Sequence, residues 1–526
     1  TRPLRVATPL GPDALLLVGL SGHEAISRLF QFRLDLMAEN ATDVPFEKLL
    51  SQKVVVELGL ADQDVRYIAG ICCRVGQAGR DPTFTSYHLE IVPELWFLTR
   101  IAQSRIFQQL TVPEILAQVL KGLNVQFQLT GAYESRDYCV QYRETDFNFA
   151  SRLMEEEGIF YFFRHSARGH TLIVADSPSS FPELPEPLIF DEAFTGGNRD
   201  EERIGAWEKH QELRSGKITL WDHTFELPHK HLESQKMIQD SVKAGAVTHK
   251  LKIEGIEKLE QYDFPGEYAQ RFDGVNPAGG DRAGDVSKIA PDGQRTAGLR
   301  MQEEAAAGLV IRGSGNVRAL TSGSKFTLER HFDADGSYLL TGVGHSARMG
   351  ADYRSGDPEA FHYSSSFTCI PAALPFRPQR ATPRPFVQGT QTAVVVGPPG
   401  EEIFTDKYGR IKVQFHWDRQ GRGDADSSCW VRVAQVWAGR RWGASFWPRI
   451  GQEVVVAFEE GDPDQPIVIG SVYNADQMPP YLGQGPDGKH PNDNKLTGVK
   501  SNSTKGGAGY NEWRFDDTKG QEQFFL

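Results

Sequence analysis

With 526 residues, 39% of them apolar and 10% aromatic, the chain is long enough for about three or four packed domains rather than one core. A formal net charge of −12 argues against general affinity for nucleic acid or anionic lipid. Five cysteines in no CxxC spacing argue against a disulfide framework or a thiolate zinc site and fit synthesis in a reducing compartment.

The first apolar run, Ala14–Leu20 (ALLLVGL), follows Asp13, lacks a cleavage site and is far too short to span a bilayer. No signal peptide is expected. VVVELGL at 54–60 reads as a half-buried strand. Thr111-Val112-Pro113-Glu114 opens a helix: Thr111 can cap, Glu114 completes a capping box, and Pro113 is tolerated in the first turn. Val112, Ile115, Leu116, Val119, Leu120 and Leu123 follow at helical spacing, so one face is buried. A second helix is expected over 145–157, stopped by Gly158, and the run IFYFF at 159–163 then suits a buried strand. Glu155, Glu156 and Glu157 occupy adjacent helix positions and point in different directions. They are expected on a solvated face and not as an acid/base pair.

KITLWDHTF at 217–225 and KFTLERHF at 325–332 alternate as strands do. Between 264 and 296 the Gly- and Asp-rich sequence predicts a long exposed loop, followed by a third helix around Ala297–Ala307 and the strand-like LVIRG. A Pro-rich linker at 371–385 marks the clearest domain boundary. Beyond it, TAVVVG, GRIKVQFHW, CWVRVAQVW, QEVVVAF and PIVIGSVY predict five strands within about 85 residues, as in a small Greek-key barrel of the OB type. Five of the nine tryptophans (417, 430, 437, 442, 447) fall in this module. The last fifty or so residues are rich in Gly, Asn, Ser, Asp and Lys, with apolar pairs such as Trp513/Phe515 and Phe524/Leu526. Such a tail cannot bury a core alone, and other copies of the chain are its simplest partner.

The chemistry-bearing residue types do not combine into a catalytic pattern. His229 and His231 lie at period two with His223 nearby, a metal-site spacing, but Pro228 and Lys230 favour a polar strand end. His331, Asp333 and Asp335 imitate the start of a calcium loop, yet position twelve is Gly344 where a Glu is required. Gly344-His345-Ser346 begins like a nucleophile elbow, but Arg348 stands where the second Gly is needed. Gly313-Ser-Gly315 lacks the third Gly of a dinucleotide fingerprint, and no Walker loop or HExxH occurs. Residues 381–475 hold ten Lys/Arg against eleven Asp/Glu, so the basic groove of a single-strand binder is missing.

TDKYGRIKVQFHWDRQG at 405–421 and the stretch from Ser427 to Asn474 closely resemble the VgrG family, the spike components of type VI secretion systems. FRLDLMAEN at 32–40, YHLEIVPELWFLTR at 87–100, QYRETDFNFASRLMEEEGIFYFF at 141–163, PGEYAQRF at 265–272 and NEWRFDD at 511–517 support the resemblance along nearly the whole chain. It implies a mainly β protein with a few helices. Residues 1–380 would form a phage-tail-hub-like region of two barrel-like domains, 381–475 an OB-fold spike base, and 476–526 a neck and the start of an intertwined trimeric β-helix. The implied role is non-enzymatic and uses no cofactor and no nucleic acid. A homotrimer would cap the Hcp tube, touch the target membrane transiently while puncturing it, and carry effectors, with a PAAR-repeat tip protein where the full needle is present. Synthesis in the bacterial cytoplasm and export by type VI secretion follow from the same resemblance. The alternatives are the hub of a phage-like contractile particle or a spike-borne hydrolase effector.

Within DKYGRIKVQFHWDRQG, Ile411, Val413, Phe415 and Trp417 alternate with Lys412, Gln414 and His416, which predicts one apolar and one polar face. His416 and Asp418 share parity, which allows a contact between them. Trp417, Trp442, Trp447, Trp513, Phe515 and Phe524 are the candidates for packing between domains or subunits.

Overall fold

Strand Leu16–Ala25 joins the two halves of the N-terminal region. It pairs antiparallel with Gln31–Glu39 on one side and with Gly336–Met349 on the other. The computed structural model describes residues 2–60, 64–192, 201–349, 361–482 and 495–526. From the seam a twelve-stranded sheet runs both ways. One arm continues through Phe84–Val92, Val65–Arg80, Lys53–Gly59 and Leu4–Ala7, the other through Phe361–Pro371, Leu309–Gly315 and Ile204–Gln211. The apolar run near the N-terminus is therefore a central strand, with Leu17 and Leu20 buried.

Two hydrophobic cores lie against this sheet, and IFYFF separates them. In strand Phe160–Ser166, Tyr161 and Phe163 enter a core with Phe30, Phe32 and Phe149, whereas Phe160 and Phe162 enter one with Phe181, Tyr268 and Phe326. A strand covered on both faces has no polar alternation, which is why this run is continuously apolar.

Helix α1 (Val112–Val119) has the expected capping box, and buries Val112, Ile115, Leu116 and Val119. Helix α2 (Asp146–Glu157) is capped by Thr145 and stops at Gly158. The segment 264–296 is not a long exposed loop. Tyr268, Ala269, Arg271 and Asp273 are buried, a short helix α3 (Ala283–Val286) follows, and helix α4 runs from Ile289 to Gly308. The third helix thus starts at Ile289 rather than near Ala297, with Pro291 in its first turn, where proline is tolerated. Gly293 reads as a breaker in sequence, but a Cβ there would lie 2.5 Å from Ser234 Oγ. Close packing of the helix, not a turn, accounts for this glycine.

The five runs after residue 390 form one sheet in the order Lys412–Phe415, Gln391–Val396, Glu453–Phe458, Pro466–Val472, Arg432–Val433. A bridge between Ile411 and Val431 links its two ends into a barrel. The barrel core includes Val395, Val413, Phe415, Val454 and Val456, and two residues of the N-terminal region, Tyr138 and Val140, complete it. The tail forms a three-stranded antiparallel sheet, Leu496–Lys500, Glu512–Asp516 and Gln523–Phe525. Among the described residues no helix is long and apolar enough to cross a membrane.

Candidate functional site: a clamped junction and an open aromatic surface

The histidine motifs are absorbed by local structure. Among the described residues, no group of three His, Cys, Asp or Glu side chains could hold a metal ion. His231 Nε2 lies 3.1 Å from Glu233 Oε2, and its ring is 4.9 Å from that of Trp221. His331 Nδ1 accepts from the backbone of Asp333 and Ala334, while Asp335 Oδ1 accepts from His331 N at 2.7 Å, which makes a turn. Ser346 sits within the long strand Gly336–Met349, paired with Ser364, and not at a strand-to-helix elbow. Beside it, His345 lies 3.0 Å from Glu24 Oε1 and 2.7 Å from Tyr363 Oη. Arg66 donates to the same Glu24 oxygen at 2.6 Å. Burial alone would raise the Glu24 carboxyl, but the His345 hydrogen bond and the Arg66 charge bring it down to about 2. This cluster ties the sheet together at its seam.

The acidic triplet at the end of α2 corrects the expected solvated face: Glu155, Glu156 and Glu157 are all buried. Glu156 accepts from Arg136 Nη1 at 2.7 Å and from Arg384 Nε and Nη2 at 3.1 and 2.9 Å. Glu157 accepts from Arg136 Nη2 at 2.5 Å and pairs with Arg295 at 2.6 Å. Glu155 accepts from the backbone N–H groups of Ala381 and Thr382 at 3.1 and 3.0 Å. Arg377 donates to the carbonyls of Gly158 and Asp176 at 2.8 and 2.7 Å, and Arg380 to Glu303 at 3.1 Å. The missing signal was the arrival of arginines from segments distant in sequence, which a helix's own pattern cannot reveal. The Pro-rich linker is therefore a strap fastened along its length. Burial opposes ionisation of Glu156 and Glu157, but Arg384 and Arg136 outweigh it for the first, and Arg136 and Arg271 for the second. Glu156 stays well below the usual carboxylate range and Glu157 falls to about 2.

The same junction absorbs the stretch 406–421. Asp406 Oδ1 accepts from the N–H groups of Tyr408 and Arg410, forming the expected turn. Arg410 makes a two-pronged contact with Asp273 at 2.7 and 2.9 Å and a third bond, to Asp406, at 2.7 Å. Lys412 departs from its expected place on an exposed polar face: it is 1% exposed. Its Nζ donates to Ser428 O at 2.8 Å and lies 4.8 Å from the centre of the Trp430 ring. The reason is that this part of the barrel wall is itself covered, with Trp430 Nε1 bonded to Asn276 O at 2.9 Å. His416 and Asp418 do not meet. His416 Nε2 lies 3.1 Å from Thr392 Oγ1, and Asp418 Oδ1 accepts from Gln420 N at 2.9 Å.

Carboxylates at the junction make its stability depend on pH. A cavity of about 110 Å³ remains between the two parts, lined in part by Asp137, Glu226, Asp273, Arg410 and Asp464. Burial and the Asp273 charge push Asp137 up to about 7, against Lys412 and Arg410 and the Gln109 hydrogen bond. Burial and the Asp462 charge push Asp464 up to about 7, against Arg152, Arg384 and the Val140 N–H. An acid with a raised folded pKa contributes stability at low pH that is lost as pH rises through the folded value. Between about pH 4 and pH 7, these two groups therefore make the folded chain less stable as pH rises. Asp137→Asn with Asp464→Asn should stabilise the chain at pH 8 relative to pH 5.5. Denaturant unfolding at both pH values measures this, and an unchanged difference would contradict it.

Of the six packing candidates, Trp417 is placed between the two parts: its Nε1 donates to Gln391 Oε1 at 2.9 Å, and its ring meets Tyr142 edge-on at 5.6 Å. Trp447 is 42% exposed and covers Gly409, where a Cβ would lie 2.2 Å from the ring. Trp442, Trp513, Phe515 and Phe524 are 58, 47, 42 and 58% exposed. The last three share one face of the tail sheet. Val499 opposes Trp513, and Phe515 opposes Phe524. The Phe515 ring lies 5.6 Å from Trp513 and 5.4 Å from Phe524. One side of that sheet is thus an uncovered aromatic surface.

Three sequence families match in chain order. A phage tail baseplate hub (GPD) family covers residues 23–351, a type VI secretion system/phage-baseplate injector OB domain covers 402–473, and a bacteriophage T4 gp5 C-terminal trimerisation domain covers 497–526. The type VI secretion system spike protein VgrG1a of Pseudomonas aeruginosa is 39% identical over 542 residues, spanning 100% of this chain and 77% of that protein. VgrG1b of the same organism is 38% identical, spanning 100% and 67%. The actin cross-linking toxin VgrG1 of Vibrio cholerae is 34% identical, spanning 98% of this chain and 45% of the toxin. The E. coli c3393 protein, described as a type VI component similar to T4 tail proteins gp27 and gp5, shares the fold with a TM-score of 0.60 at 20% identity. It covers 89% of this chain and 100% of that one.

Proposed function

Because the chain belongs to the VgrG family of type VI secretion system spike proteins, we propose that three copies assemble into a spike that caps the Hcp tube, punctures a target envelope and carries effectors with it. The N-terminal region to about residue 380 is the hub, 381–475 the spike base, and 476–526 the neck and start of the needle. The observation that carries this reading is the aromatic face of Trp513, Phe515 and Phe524, left open in one copy within the stretch matching a trimerisation domain. A sheet that exposes such a face is covered most simply by the same sheet of other copies, in a symmetric assembly. The chain is made in the cytoplasm and exported with the tube. A PAAR-repeat tip protein binds where the full needle is present, and no nucleic acid takes part. The force comes from outside the chain, so no catalytic role is assigned to it. The toxin name belongs to the Vibrio relative, of which this chain covers 45%.

Light scattering of the purified chain tests the assembly. A mass three times that of the 58.6 kDa chain is expected at micromolar concentration. A monomer at every concentration would count against it. Loss of tube-protein secretion on deletion of the gene tests the role in the cell.

A further inference from the structure

A second unpartnered element stands beside the aromatic face. Residues 436–447 (VWAGRRWGASFW) form a hairpin in which Ala438–Gly439 pairs with Trp442–Gly443. The Gln435 side chain locks its base, donating to Phe446 O at 3.1 Å and accepting from Phe446 N at 2.9 Å. The Trp437 and Trp442 rings meet edge-on at 5.2 Å. The hairpin is thus preformed, yet Val436, Trp437 and Phe446 are 87, 64 and 56% exposed. Arg440 and Arg441 sit at its tip, and neither makes an ion pair among the described residues. In the isolated chain these side chains bury nothing, although burying each large apolar one is worth about 1.5–3 kcal/mol.

The hairpin's base is continuous with the aromatic sheet. Phe446 and Trp447 share a groove of about 690 Å³ with Val499 and Lys500, and Val499 stands opposite Trp513 on the open face. The turn after that face carries Asp516 and Asp517, which complement the two tip arginines. We propose that this hairpin is an arm that each copy lays across the tail sheet of the neighbouring copy. Trp437 and Trp442 cover Trp513, Phe515 and Phe524, while Arg440 and Arg441 pair with Asp516 and Asp517. The arm rests on the trimeric reading above and adds to it a head-to-tail contact that closes into a ring. Both surfaces belong to the same chain and match in apolar character and in charge. A lipid surface is the weaker occupant, because a net charge of −12 opposes approach to anionic headgroups.

A photo-crosslinking residue in place of Trp442 in the full chain tests the arm. Irradiation should give interchain adducts that mass spectrometry maps to residues 513–524. Arg440→Glu with Arg441→Glu should cut adduct yield about tenfold at low salt, and Asp516→Arg with Asp517→Arg should restore it. Both arginines are exposed at the hairpin tip, so an unchanged melting temperature is the accompanying control. A trimer by mass whose adducts map elsewhere overturns the arm and leaves the trimer standing. A monomer overturns both. Capture of anionic phosphatidylserine vesicles through the same two arginines, without interchain adducts, also overturns the arm.

Discussion

Glu156→Ala should destabilise the chain by about 3–5 kcal/mol, the cost of removing one partner from a buried ionic cluster. The alanine leaves Arg136 and Arg384 without the carboxylate that accepts from both, and Arg152 Nη1 loses an oxygen 3.7 Å away. Three buried or half-buried cations would then repel one another with only Glu157, Glu144 and Glu267 to balance them. The double change Glu156→Ala with Arg384→Ala should cost less than the sum of the single changes, because the second removes one stranded charge. Denaturant unfolding of the three variants measures this, and a single-variant loss below about 1 kcal/mol would sink the clamp. Loss of fastening should also expose 371–385 to proteases before the rest of the chain unfolds. The pH dependence of this clamp runs opposite to that of the junction carboxylates. Glu156 and Glu157 have depressed values, so their contribution is present above the unfolded carboxylate pKa and is lost as pH falls toward about 2.

Trp513→Ser together with Phe515→Ser should convert the trimer to monomer without changing the stability of the isolated chain. Both rings are more than 40% exposed in one copy, and surface changes of this kind usually move stability by less than about 0.5 kcal/mol. Covered in an assembly, each ring contributes about 2 kcal/mol. Six rings per trimer therefore amount to a loss on the order of 10 kcal/mol, far more than a micromolar assembly tolerates. Sedimentation across a concentration series checks the result. A trimer of undiminished affinity would show that hub and barrel contacts alone hold the copies together.

The barrel was legible in the sequence because each of its five runs ends in a turn and keeps its apolar residues in register. The α1 cap and the α2 stop were legible for the same local reason. The buried triplet Glu155–Glu157 and the buried Lys412 were not. Each residue's neighbours come from segments more than ten positions away, and a charge pattern alone does not distinguish water from an incoming arginine or carbonyl. Helix α4 was cut short for a related reason: Gly293 and Pro291 look like breakers until Tyr268 and Ser234 are seen packed against the helix. The aromatic tail was readable only as a deficit, apolar residues with nothing nearby to cover them.

Strand Leu16–Ala25, with a neighbour on each flank, has a mechanical consequence. A push along the length of its ladders loads many N–H···O=C bonds in parallel, so they yield together or not at all. A pull across the strands would open them one at a time, as a zipper does. Stiffness in this sheet therefore has a direction, and a hub mounted with its strands along the line of thrust would be hard to compress yet easy to peel apart after delivery.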